Sequence, residues 1–270
     1  MAPNIYASMS NAFRTILRRP LLSFLGLFPA RQSALSVLMY HSVSDSEAFF
    51  AVSPSEFERQ MKYINDTRKS TIFASDISGH MKTGSLSDLV CITFDDGYED
   101  VYLNAYPIIK KYGIKATVFL ITSEIGGFYT GSEGKTFRLL NKEQIREMQN
   151  SGLFEFMPHG HTHAKLTALS PEEQKREMLI SRDAVAALTG KAASIFAYPR
   201  GRTNSSIASL ARELGFSLAL GVRPGLVWGN SDKYDLPRNA VDSMVDTQAF
   251  CIKLSDRVQW YAGIARFFKI

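Results

Sequence analysis

The 270-residue chain is poor in cysteine. Of its two, Cys91 lies inside the apolar run Leu89-Val90-Cys91-Ile92, where a thiol behaves as a small buried hydrophobe, and the other is Cys251. Two cysteines exclude a disulfide framework and a cysteine-ligated zinc site. Long hydrophobic runs are missing too. The run Leu21 to Phe28 is far short of the ~20 residues that cross a bilayer. Blocks of like charge are absent, the basic residues standing singly or in pairs such as Arg18-Arg19 and Lys110-Lys111. The net charge of +5 therefore reads as a solvated surface, and no motif that reads nucleic acid accompanies it. No internal repeat or low-complexity linker divides the chain.

Acidic residues are absent before Asp45, while Arg14, Arg18, Arg19 and Arg31 are present. Residues 1–34 thus form a basic, apolar N-terminal segment. It suits peripheral contact with a membrane surface, or the apolar stretch of a signal peptide. Cytoplasmic or membrane-surface placement is expected, with export as the alternative. No protein partner can be inferred. The remainder, 35–270, reads as one globular domain, and the chain as a whole has an ordinary balance of 45% hydrophobic and 21% charged residues.

What is present is a regular alternation. Short apolar runs at 36–40, 89–94, 116–121, 154–157, 194–198 and 216–220 read as strands. Helical segments follow most of them. Ser53-Pro54-Ser55-Glu56 and Ser170-Pro171-Glu172-Glu173 open helices with serine caps, and Gly113 and Gly190 close others. A helix is expected over 104–112, another over 142–149, and one in the tail, 248–270. The glycine-rich stretch 126–134 reads as a loop. Such alternation predicts an α/β fold, its parallel sheet closed or nearly closed into a barrel.

Four polar clusters each follow a predicted strand. They are Tyr40-His41-Ser42, Thr93-Phe94-Asp95-Asp96-Gly97, His159-Gly160-His161-Thr162-His163, and Tyr198-Pro199-Arg200-Gly201. In parallel α/β barrels, loops after the strands share one face, so the clusters should converge. Adjacent carboxylates at the end of a buried strand repel each other, and a cation relieves that cost. One carboxylate can then bind metal while its neighbour stays free as a base. By itself the pair suits a solvated turn equally well. Three of the chain's five histidines fall within five residues, and the spacing of His159 and His163 lets both imidazoles reach one ion. Neutral imidazoles with a carboxylate suit zinc, or cobalt, nickel or iron. His161 would point away, and His80 lies in a glycine- and serine-rich stretch expected at the surface.

The order TFDDG, H-x-x-x-H and Pro-x-Gly resembles the polysaccharide deacetylase domain, carbohydrate esterase family 4, over residues 36 to 240. The resemblance implies a distorted, partly open (β/α) barrel of seven or eight strands. It also implies hydrolysis of the N-acetyl group of N-acetylhexosamine units in a polysaccharide or glycolipid. Asp96, His159 and His163 would hold a divalent metal, zinc foremost, and Asp95 would be the base. Tyr198, Pro199, Arg200 and Gly201 would form the substrate loop, with the Arg200 N–H in the oxyanion hole.

Two departures stand out. Many members carry at the position of Ala197 an arginine that orients the base; Arg238 is the candidate replacement. A late Leu-x-x-His segment is absent, since no histidine follows His163. His41, in the early Tyr40-His41 pair, resembles the arrangement of a subgroup acting on poly-N-acetylglucosamine, and would be the general acid. Phe128, Tyr129 and Trp228 are candidates for sugar stacking or for rim packing. A hydrolase of a non-sugar amide or imide, and an inactive glycan-binding module, are the alternatives.

Overall fold

The computed structural model describes residues 32–131 and 134–268. The N-terminal segment expected at a membrane surface or as a leader thus lies, to residue 31, outside the described residues. Gln32 and Ser33 are bonded to the body. Gln32 Nε2 donates to the Leu89 carbonyl at 2.6 Å, and the Ser33 hydroxyl to Asp256 at 2.8 Å. Among the described residues no helix is long and apolar enough to cross a membrane.

In chain order the strands are β1 (Ser36–Tyr40), β2 (Ser42–Val43), β3 (Ala51–Val52), β4 (Ser70–Ile72), β5 (Leu89–Phe94), β6 (Ala116–Leu120), β7 (Phe128–Thr130), β8 (Thr136–Arg138), β9 (Phe154–Pro158), β10 (Ile195–Ala197), β11 (Leu218–Leu220) and β12 (Asn239–Ala240). The helices are α1 (Pro54–Asp66), α2 (Ile77–Thr83), α3 (Tyr106–Tyr112), α4 (Lys142–Asn150), α5 (Pro171–Thr189), α6 (Ser205–Glu213), α7 (Thr247–Lys253) and α8 (Arg257–Phe268).

Strands β12-β1-β5-β6-β9 form one parallel wall, and β10-β11 a second. The walls join on one side, where Leu220 of β11 bridges Leu236 in parallel, three residues before β12. On the other side, between β9 and β10, no ladder is described. The barrel is therefore partly open, with a seam between β9 and β10, and β4 adds an eighth parallel strand by pairing with β5. Every residue of β1, β5 and β6 is buried, as strands covered on both faces require. Ile92, Phe94, Val118, Phe119 and Phe154 belong to the main core cluster.

Local chemistry sets the helix ends. The Ser53 and Ser170 hydroxyls accept from the Glu56 and Glu173 amides, with proline in the first turn of each helix. Gly113 and Gly190 end α3 and α5 in the left-handed conformation, at φ 62° and 66°.

Three expectations need correction. The stretch 126–134 is not a plain loop. Its Phe128–Thr130 pairs antiparallel with Thr136–Arg138, so the glycines mark the ends of a hairpin arm. The tail is two helices, broken where the Ser255 amide and hydroxyl both bond the Ile252 carbonyl at 3.0 Å. The helix expected from residue 104 begins earlier, through a π-turn over Val101–Ala105. His80 lies on α2, half-buried, with Nδ1 3.0 Å from the Ser85 carbonyl.

Candidate active site

Parallel pairing runs past the strand ends and carries the polar clusters together. The Asp95 amide donates to the Tyr40 carbonyl at 2.9 Å, His159 to Leu120 at 2.9 Å, and Tyr198 to Leu220 at 3.1 Å. His41, Asp95, Asp96, His159, His163, Arg200 and Gly201 thereby line a single cavity of about 300 Å³, shared with Phe49, Phe50, Tyr98, Tyr129 and Val222.

The turn after β5 is tight. Asp96 and Gly97 both take positive φ, 69° and 77°, and a Cβ on Gly97 would sit 2.7 Å from Leu120 Cδ2. Asp96 accepts backbone strain that non-glycine residues seldom bear, and such strain concentrates at functional sites. His163 and Arg200 share it, at φ 60° and 58°.

Asp96 Oδ1 lies 3.5 Å from His159 Nε2 and 3.4 Å from His163 Nε2. It is buried and has no hydrogen-bond partner. The His159 tautomer follows from its other nitrogen. Nδ1 is 2.9 Å from the Ala197 carbonyl, which can only accept, so Nδ1 carries the proton and Nε2 in the neutral ring is bare. This bond also spans the seam between β9 and β10. Bare imidazole nitrogen and bare carboxylate oxygen facing each other repel unless a cation stands between them. One carboxylate and two imidazoles, their ligand atoms within 4.8 Å of one another, suit a divalent metal.

Burial drives both histidines toward the neutral, ligating form. The His159 and His163 pKa values are lowered from 6.5 to about 4, by desolvation first and against the pull of Asp95. Burial, and next the Asp96 charge, push the Tyr98 hydroxyl beside the site well above its ordinary value.

Asp95 has different partners. Arg238, fully buried, donates from Nη1 to Oδ1 at 2.6 Å and from Nη2 to Oδ2 at 2.8 Å. Its Nε donates to the Gly221 carbonyl at 2.8 Å, and its guanidinium lies over the Phe119 ring. Burial alone would raise the Asp95 carboxyl, but the Arg238 charge, then His159, outweigh it and hold the group below the usual carboxylate range. Arg238, the candidate replacement for the arginine missing at Ala197, is thus paired with Asp95.

His41 lines the cavity against Phe50, ring centroids 5.8 Å apart. The segment after it is clamped by Asp100, which accepts from the Ser42 hydroxyl at 2.5 Å and the Val43 amide at 3.1 Å. In the Tyr198–Gly201 loop Gly201 donates to the Tyr198 carbonyl at 2.8 Å, and the Tyr198 hydroxyl is tied to the Tyr234 carbonyl at 2.8 Å. A Cβ on Gly201 would lie 2.2 Å from the Val222 side chain, so only glycine fits.

A family model described as polysaccharide deacetylase matches residues 83–219. The YxkH protein of Bacillus subtilis, itself named as a polysaccharide deacetylase, is 32% identical over 222 residues, 82% of this chain and 76% of that protein. The chain belongs to the polysaccharide deacetylase family. A poly-β-1,6-N-acetyl-D-glucosamine N-deacetylase of Staphylococcus aureus is 28% identical over 210 residues, 74% of this chain and 71% of that protein. Among solved structures, the Streptococcus pyogenes deacetylase PplD in complex with acetate matches with a TM-score of 0.72 and 26% identity, over 83% of this chain and 99% of that one. IcaB from Ammonifex degensii has the same fold, with a TM-score of 0.71 and 24% identity over 86% of this chain and 98% of that one.

Several residues around the deacetylase site were not legible as such in the sequence. Glu177 of α5 accepts from the His161 and Thr162 amides, each at 2.9 Å, and from the Thr162 hydroxyl at 2.7 Å, bracing the loop that carries both histidines. His161 turns away to Thr122, Nδ1 to hydroxyl 3.0 Å, as expected of the middle histidine. Of the three aromatics named for sugar contact, Tyr129 lines the cavity, while Trp228 borders a separate hollow beside Arg223 and Asp235. Phe128 is exposed on β7.

Proposed function

We propose that this polysaccharide deacetylase hydrolyses the N-acetyl group of N-acetylhexosamine units in a polysaccharide or glycolipid, with zinc held by Asp96, His159 and His163. The observation that carries the reading is the converging set of unprotonated ligand atoms beside a separately anchored, ionised Asp95. The name of the Staphylococcus aureus relative favours a β-1,6-linked N-acetylglucosamine polymer as substrate.

The metal, when bound, supplies polarisation of the amide carbonyl and a water acidic enough to react near neutral pH. The protein supplies the rest. Asp95 accepts a hydrogen bond from the attacking water and takes its proton as the new C–O bond forms. The Arg238 fork fixes the direction of that carboxylate. The Arg200 N–H donates to the carbonyl oxygen as negative charge collects there. His41 in its protonated form gives a proton to the amide nitrogen as the C–N bond breaks. The products are acetate and a free amino sugar. Phe49, Arg200 and Val222 at the rim are all exposed, which leaves room for a chain of sugars.

The test is acetate release from N-acetylglucosamine oligomers and from β-1,6-linked polymer, before and after chelation, with zinc, cobalt, nickel or iron restored. Metal-dependent release greatest with zinc is expected. Release that survives complete removal of metal would overturn the ligand set. Release from none of the sugars by metal-loaded protein would overturn the substrate class.

A further inference from the structure

The two imidazoles that face Asp96 are held by different kinds of partner. His159 Nδ1 bonds a main-chain carbonyl, that of Ala197 at the end of β10, 2.9 Å away. That partner belongs to the barrel wall and is indifferent to side-chain identity. His163 Nδ1 instead lies 2.6 Å from the Tyr129 hydroxyl, and the rings meet edge to face with centroids 5.2 Å apart. Tyr129 comes from outside the barrel, on the β7–β8 hairpin. There it pairs with Phe137 and packs at the edge of a small cluster built on Tyr98, Ile121 and Leu139. His163 takes positive φ, a strained conformation that its surroundings must hold.

We propose that Tyr129 is a positioning residue for the metal. Its hydroxyl oxygen accepts the Nδ1 proton of His163, fixing that ring's tautomer and turning Nε2 toward Asp96. The inference rests on Asp96, His159 and His163 being the ligands. A metal-bound imidazole needs its second nitrogen protonated and bonded, and loss of that outer partner typically weakens metal binding ~10–100-fold. His159 is held by a main-chain carbonyl of the barrel wall, so affinity is tuned through His163. The hairpin, not the sheet, then sets how tightly the metal is held.

The test is zinc affinity by competition with a chromogenic chelator, in wild type, Tyr129→Phe and Phe128→Ala. Thermal melting of each metal-free protein is recorded alongside. Phenylalanine keeps the ring packing and removes only the oxygen. Tyr129→Phe should bind zinc ~10-fold or more weakly, with metal-free melting unchanged. Phe128→Ala, altering an exposed neighbour on the same strand, should bind zinc as wild type does. Equal zinc affinity in Tyr129→Phe and wild type would overturn the proposal, as would an equal loss in Phe128→Ala, which would make hairpin packing the cause. Failure of the wild type to bind zinc would instead sink the ligand set on which the inference stands.

Discussion

Arg238 and Asp95, 143 residues apart in the chain, meet fork to fork with both guanidinium ends 2.6 and 2.8 Å from the two carboxylate oxygens. Both side chains are buried, so each charge depends on the other for compensation. Arg238→Leu should destabilise the fold by about 3–5 kcal/mol, because it leaves a buried carboxylate unpaired. Turnover should fall about 100-fold or more through loss of the oriented base. Adding Asp95→Asn to Arg238→Leu should recover much of the stability and none of the activity. Chemical denaturation and acetate release measure the two effects separately. Recovery of activity in the double variant would dismiss Asp95 as the base.

The carboxylates of Asp95 and Asp96 adjoin in sequence and differ in environment. Asp95→Asn should keep metal content near wild type and lose turnover by about 100-fold or more. His163→Ala and Asp96→Asn should lose both. Metal stoichiometry by elemental analysis, alongside acetate release, distinguishes the cases.

His41 lines the cavity, and the Asp100 clamp holds the segment that follows it, so its loss should leave metal content unchanged while kcat falls about 100-fold. Asp100→Asn, which weakens the clamp on Ser42 and Val43, should lower kcat less. Unaltered kcat in His41→Ala would return His41 to a packing role against Phe50.

Gly97 has φ 77° and a virtual Cβ 2.7 Å from Leu120 Cδ2. Gly97→Ala should therefore cost about 2 kcal/mol or more, by left-handed strain and overpacking together. It should also weaken metal binding, since Asp96 precedes it in the same turn. A melting curve that matches wild type would show that the turn can relax.

In the metal-free protein, His159 and His163 keep folded pKa values of about 4 against an ordinary 6.5. Between those values the unfolded chain binds more protons than the folded one, so stability falls as pH falls. The contribution is complete above pH 6.5 and lost as pH drops toward 4, on the order of 2 kcal/mol per histidine at pH 5. Denaturant titrations of metal-free protein at pH 7 and pH 5 should show the loss, and His159→Gln should reduce it. A pH-independent midpoint would contradict the burial argument.

Much of this protein was determined by the sequence alone. Alternating apolar runs and capped helices specify a parallel α/β barrel, because an all-apolar strand needs cover on both faces and only helices returning between parallel strands provide it. TFDDG and H-x-x-x-H each lie at the end of one such strand, so their meeting followed from topology. Partners drawn from elements distant in the chain were decided only by the tertiary structure. The sequence named Arg238 as the candidate to back Asp95, but its reach across the barrel interior is a property of the fold, as is the bond from the Ala197 carbonyl to His159. The Tyr129 contact depends on a hairpin whose glycine-rich composition reads as loop, since pairing between short arms is a property of two segments and leaves no periodicity in either. Glu177 is one of several acidic residues on an exposed helix, and only the packing of α5 against the histidine loop sets it apart. Spacing along one strand end is a local property, whereas a hydrogen-bond partner is chosen by distance in space.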